Sequence, residues 1–86
     1  MILKDKVFIV TGASSGIGEE ICKQLSASGS NVVCASRRLE ELQRVSNAIN
    51  ALGGKSIAVQ TDITLSDQCQ NMVKKTIDNF GQIDGL

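Results

Sequence analysis

Thr11-Gly12-Ala13-Ser14-Ser15-Gly16-Ile17-Gly18 is the stretch on which the reading of the fold turns. It follows a continuous apolar run at 7–10 and leads directly into Glu19-Glu20-Ile21-Cys22, the start of a helix-like segment. Apolar, β-branched residues without alternation suit a strand buried on both faces of a parallel sheet. Glycines at 12, 16 and 18 then form a strand-to-helix turn whose backbone a bulky group can approach. The N-terminus of the following helix offers unpaired N–H groups and partial positive charge, so the expected ligand is anionic. The pyrophosphate of a dinucleotide is the leading candidate. Two rival phosphate loops do not fit. A Walker-type loop needs Gly-Lys-Ser/Thr where this chain has Gly18-Glu19-Glu20, and the spacing is GxxxGxG rather than GxGxxG. A turn that uses glycine only to pack helix against strand is the remaining alternative.

Working outward, residues 6–11 read as the first strand, and 12–18 as the turn. Ile17, Ile21 and Leu25 recur at helical spacing with Cys22 alongside, with Glu19, Glu20, Lys23 and Gln24 expected outside and Gly29 expected near the end. Residues 31–36 form a second strand, followed by Arg37-Arg38. Leu39, Leu42, Val45 (or Ser46), Ile49 and Leu52 line the next helix, which Gly53-Gly54 terminates. A third strand is expected at 56–61, closed by Asp62. Ser66 is the expected N-cap of a last helix carrying Cys69, Met72, Val73, Thr76, Ile77 and Phe80 inward, with Gly81 at its end. Residues 82–86 read as the approach to a fourth strand. The order β-α-β-α-β-α implies an α/β fold with a Rossmann-type parallel sheet, right-handed crossovers and helices on both faces.

Composition narrows the function classes. Nine basic and nine acidic residues give a formal net charge of zero, and two Phe with no Trp or Tyr leave almost no stacking surface, which argues against a nucleic-acid partner. The apolar run at 7–10 is too short for a membrane segment, and the N-terminus lacks a secretory pattern, so a cytoplasmic setting is expected. Cysteines 22, 34 and 69 are odd in number, have no CxxC spacing and have no His beside them. Reduced thiols are expected, and no metal site.

TGASSGIG at 11–18 resembles the cofactor motif of the short-chain dehydrogenase/reductase (SDR) family, in its non-extended form. The resemblance runs the length of the chain: KDKVFIVTGASSGIG at 4–18, RRLEEL at 37–42, TDIT at 61–64 and FGQIDGL at 80–86. It implies that Gly12, Gly16 and Gly18 seat the pyrophosphate, with Ile17 contributing backbone N–H and packing. Ser14 and Ser15 would offer hydroxyls to the adenosine ribose or its phosphate, and Asp62 and Ile63 would meet the adenine. Asp62 as a turn or helix-cap residue is the plainer alternative. Where an NAD-binding relative carries an acid for the free 2′-OH, this chain has Ser36, followed by Arg37 and Arg38. Guanidinium groups pair with a 2′-phosphate through forked, charge-assisted hydrogen bonds, so NADP(H) is expected in preference to NAD(H). Arg38 as a solvated surface charge at the start of a helix is the alternative for that residue.

The family's hydride-transfer machinery is an Asn-Asn-Ala-Gly segment after the fourth strand, a Ser and a Tyr-x-x-x-Lys pair. The chain contains no Tyr, so no catalytic residue is assigned within it. Lys74-Lys75 read as solvated charges. The chain therefore reads as an N-terminal fragment, 1–86, of a single NAD(P)-binding domain, incomplete at strand four and inactive alone. The full-length protein would reduce or oxidise a small carbonyl or alcohol substrate and would form a homo-oligomer. A non-catalytic nucleotide-binding or interaction module is the alternative. The fragment's first strand is expected at an exposed edge, inviting aggregation.

Overall fold

The computed structural model describes residues 3–86, so the first two residues of the domain expected over 1–86 lie outside it. The chain runs β1 (Val7–Thr11), α1 (Gly16–Ala27), β2 (Asn31–Ser36), α2 (Leu39–Ala51), β3 (Lys55–Gln60) and α3 (Ser66–Phe80). The strands form one parallel sheet in the order β1-β2-β3, with Thr11 opposite Ala35 and Ser36 opposite Gln60. β2 falls where expected. β1 omits Lys6, and β3 is displaced by one residue toward the N-terminus, leaving Thr61 beyond the sheet.

Because side chains alternate along a strand, central β2 feeds two cores at once. Val32 and Cys34 pack with Ala13, Cys22, Leu42, Val45 and Ile49 under α1 and α2. Val33 and Ala35 face the other way and pack with Ile9, Val59 and Met72 under α3. Helices thus cover both faces. A polar clasp joins α2 to β3: the buried Ser46 and Ser56 hydroxyls lie 2.8 Å apart, and the Asn50 side chain accepts from the Ser56 N–H at 2.9 Å. The three cysteines are free thiols. The Cys34 thiol, hydrogen-bonded to Cys22 at 3.8 Å and buried, is held well above its ordinary titration range.

β1 is an edge strand, as expected, and residues 82–86 begin to cover it. Gly85 bridges Phe8 in the parallel sense, and the Ile9 N–H donates to the Gly85 carbonyl at 3.0 Å. Asp84 supports this start by accepting from the Val7 N–H at 2.8 Å. Among the described residues, no helix is long and apolar enough to cross a membrane.

Expectations about helix faces and caps need correction in all three helices. α1 does not turn Ile17 and Ile21 to the sheet; they are 79% and 46% exposed, while Gly18 and Cys22 are buried. Two small residues one turn apart let the helix approach β2 closely, and that close approach decides the face. In consequence Glu19, expected outside, keeps a side chain only 18% exposed. On α2, both Val45 and Ser46 are buried, but Leu39 and Leu52 at its ends are exposed. On α3, Ser66 is the first helical residue rather than the cap; Leu65 holds the cap position and makes no side-chain cap bond. Met72 and Thr76 are buried, whereas Val73 and Ile77 remain exposed.

Candidate functional site

The carboxyl ends of all three parallel strands meet at one end of the sheet, the usual place for a ligand in an open α/β fold. There a cleft of about 400 Å³ is lined by Gly12, Ser14, Ser36, Arg37, Arg38, Thr61, Asp62, Ile63 and Thr64. Seven of the eleven residues expected to bind cofactor thus share one wall. Gly16 and Ile17 line a separate apolar groove along α1, and Ser15 and Gly18 build the turn between them.

The glycine turn is held from within. The Ala13 N–H donates to the Ala35 carbonyl at 3.2 Å, tying the turn to β2. Ser15 is the N-cap of α1: its Oγ accepts from the Gly18 N–H at 3.2 Å and donates to the Gly12 carbonyl at 2.9 Å. Its hydroxyl is therefore engaged inside the turn, satisfying one of the helix's free donors. Gly12 has φ +68°, a left-handed conformation that favours glycine. Gly18 is required for space, since a Cβ there would overlap the Gly12 carbonyl. Gly16 has neither constraint; a Cβ on it would meet open space.

Ser14 and Ser36 are brought together across the strand ends. The Ser36 Oγ donates to the Ser14 Oγ at 3.0 Å and accepts from the Arg38 N–H at 3.1 Å. Arg38 occupies the N-cap position of α2 and makes no side-chain cap bond. Neither Arg37 nor Arg38 forms an ion pair among the described residues. Asp62 folds its carboxylate into a local turn, accepting from the Thr64 hydroxyl at 2.6 Å and the Thr64 N–H at 2.9 Å. Those Thr64 bonds, with the charge of Arg37 adding to them, hold the Asp62 carboxyl below its ordinary range. Asp62 is therefore a turn residue as well as a cleft residue.

Sequence reasoning passed over Thr61, Thr64, Gln60 and Gln68. Thr61 and Thr64 were within reach, because both belong to the TDIT segment that carries Asp62. Gln68 accepts the Asp62 N–H at 2.8 Å from the first turn of α3, a contact that depends on three-dimensional approach and leaves no spacing signal.

Glu19, directly after the last glycine, is neutralised where it stands. Arg44 of α2 reaches it at 2.8 Å and Lys23 at 2.9 Å. The hydrogen bonds from Arg44 and then Lys23 lower its pKa from 4.5 to about 2. The first turn of α1 consequently carries no unbalanced negative charge toward the cleft.

Comparison with known proteins agrees with the fold. The family model described as short chain dehydrogenase matches residues 6–86. An uncharacterized oxidoreductase of Listeria innocua is 38% identical over 86 residues, which is all of this chain and 35% of the relative. Among solved structures, a hydroxysteroid dehydrogenase from Escherichia coli superposes with a TM-score of 0.95 at 32% identity, over 98% of this chain and 36% of that one. A metagenomic short-chain oxidoreductase in complex with NADP superposes at 0.92 with 34% identity, over 100% of this chain and 39% of that one. The chain thus spans about a third of the length of the proteins it matches.

Proposed function

The chain belongs to the short-chain dehydrogenase family, and from that premise we propose that it binds NADP(H) at the strand ends and serves hydride transfer between nicotinamide and a small carbonyl or alcohol substrate. The observation that carries the reading is the composition of the cleft: Ser36 and two arginines, without an ion pair among the described residues, where an acid would select a free 2′-OH. A carboxylate there would repel a 2′-phosphate, whereas Arg37 and Arg38 can pair with it. Gly16 supports the pyrophosphate role, because nothing within the chain requires glycine there and an approaching ligand does. The neighbour solved with NADP supports a nicotinamide dinucleotide as the ligand class.

The residues have separable tasks. Gly12, Gly16, Gly18 and the α1 N-terminus, with Ile17 beside them, would seat the pyrophosphate. Ser14, held by Ser36, would orient the ribose. Asp62 and Ile63 would border the adenine, the Asp62 carboxylate in its turn accepting a further hydrogen bond. The nicotinamide supplies the hydride chemistry when bound. With no Tyr or His in the sequence, these 86 residues contain no general acid of the family's kind. Substrate binding, homo-oligomer formation and a cytoplasmic location belong to the same proposal for the whole protein.

Titration of the intact protein with NADPH and NADH tests the cofactor assignment. Arg37→Asp is expected to weaken NADPH binding roughly 10- to 100-fold and to change NADH binding by less than about threefold. Equal losses for the two would remove Arg37 from the phosphate site. The 86 residues alone are expected to show no oxidoreductase turnover, and measurable turnover would place a proton donor within them.

A further inference from the structure

The turn joining β2 to α2 carries both arginines, and its backbone is held almost atom by atom. The Ser36 carbonyl accepts from the Thr61 N–H at 2.7 Å, and the Arg38 carbonyl accepts from the Leu42 N–H at 3.0 Å. The Arg38 N–H is taken by the Ser36 hydroxyl. The Arg37 carbonyl differs, because its partner is a side chain: Gln60 Nε2 donates to it at 3.1 Å. Gln60 is the last residue of β3 and stands opposite Ser36 in the parallel register, so its amide reaches across the strand ends to the next residue along.

Arg37 stands between two clefts. On one side are Ser14, Ser36 and Arg38. On the other is a polar cleft lined by Gln60, Asp67, Gln68 and Asn71, and Asp62 borders both. The Asp67 carboxylate, on the second side alone, attracts a guanidinium. A peptide free to rotate at Arg37 would let its side chain settle toward Asp67, away from Ser36. The Gln60 amide opposes this rotation from the carbonyl end of the peptide, as the Ser36 hydroxyl does from its N–H end.

We propose that Gln60 is a positioning residue for 2′-phosphate selection, which fixes the Arg37 carbonyl and thereby limits how far the guanidinium can swing toward Asp67, away from a 2′-phosphate at Ser36. The inference rests on the NADP(H) reading above. It assigns Gln60 no contact with the cofactor.

The test is a double-mutant cycle on the intact protein, with dissociation constants for NADPH and NADH measured for wild type, Gln60→Leu, Arg37→Ala and the double variant. Gln60→Leu keeps the side-chain bulk and removes the donor. It is expected to weaken NADPH binding roughly three- to tenfold and to change NADH binding by less than about twofold. In the Arg37→Ala background the same change is expected to have no further effect on NADPH. Equal losses for both cofactors, or an undiminished loss without Arg37, would overturn the role of Gln60 while leaving the NADP(H) reading standing. A wild-type protein with no preference for NADPH would overturn that reading, and the role of Gln60 with it. Gln60→Met, unbranched and of similar length, repeats the cycle if the leucine variant is unstable.

Discussion

An alanine at Gly18 would drive its Cβ into the Gly12 carbonyl, so the turn must spread or α1 must withdraw from β2. Gly18→Ala is expected to cost about 1–3 kcal/mol of stability, as overpacking does, and to weaken dinucleotide binding along with it. Gly16→Ala separates the two effects. With open space around it and no left-handed backbone, it is expected to leave stability unchanged or raise it by up to about 1 kcal/mol. Its cofactor affinity should nevertheless fall roughly tenfold, because under the proposed reading the added methyl would stand in the path of the pyrophosphate. Urea unfolding beside cofactor titration reads both variants, and unchanged affinity in Gly16→Ala would move the pyrophosphate elsewhere. The spacing of the three glycines was visible in the sequence, but not the different reason for each. Spacing records where a side chain is missing, whereas the reason depends on backbone angle and on what lies opposite. Ser15 shows the same limit: its hydroxyl looks available in the sequence, yet it is the cap of α1. Gln60 left no trace, since its partner is set by the register of β3 against β2.

At the scale of elements, α1 shows how a correct period can still leave the buried face unresolved. Ile17, Ile21 and Leu25 share one stripe, while Gly18, Cys22 and Leu25 share another one residue round. Hydrophobicity favours the first stripe. Closeness of approach favours the second, and the structure takes the second. The choice draws Glu19 inward to Arg44, which ties α1 to α2 through an ion pair that no sequence periodicity displays. The linkage has a definite sign. The folded-state pKa of Glu19 lies at about 2, below its ordinary 4.5, so the ionised carboxylate favours the folded state above the higher value. That contribution is lost as pH falls from about 4.5 toward 2. Arg44→Met removes the largest cause of the shift, so the variant should be less stable than wild type near neutrality and should lose less on acidification through that window. Denaturation midpoints for both proteins across the range check this. Parallel curves would mean that Arg44 does not act through the ionisation of Glu19.

For the molecule as a whole, the alternation of strands and helices was readable because each apolar run and each helical period is closed by glycine or a polar turn. The parallel sheet, its two covered faces and the edge position of β1 follow from that order and from right-handed crossovers. What the order does not disclose is how much apolar surface remains uncovered. Ile17 and Ile21 of α1 and Val73 and Ile77 of α3 are exposed on opposite faces of the sheet, and among the described residues the outer edge of β1 is paired at its start, by Asp84 and Gly85. Uncovered apolar surface and an unpaired strand edge both favour association, by different routes. The 86 residues alone are therefore expected to associate as concentration rises, and sedimentation velocity distinguishes the routes. Ile21→Lys with Val73→Lys places a charge on each exposed helix face and touches neither core. If the helix faces drive association, this variant stays monomeric where the wild-type chain does not, with an unchanged circular dichroism spectrum. If variant and wild type associate alike, the open edge of β1 is the driver. In that case a proline at Thr11, whose N–H points to the open side as those of Val7 and Ile9 do, should suppress association where the lysines did not.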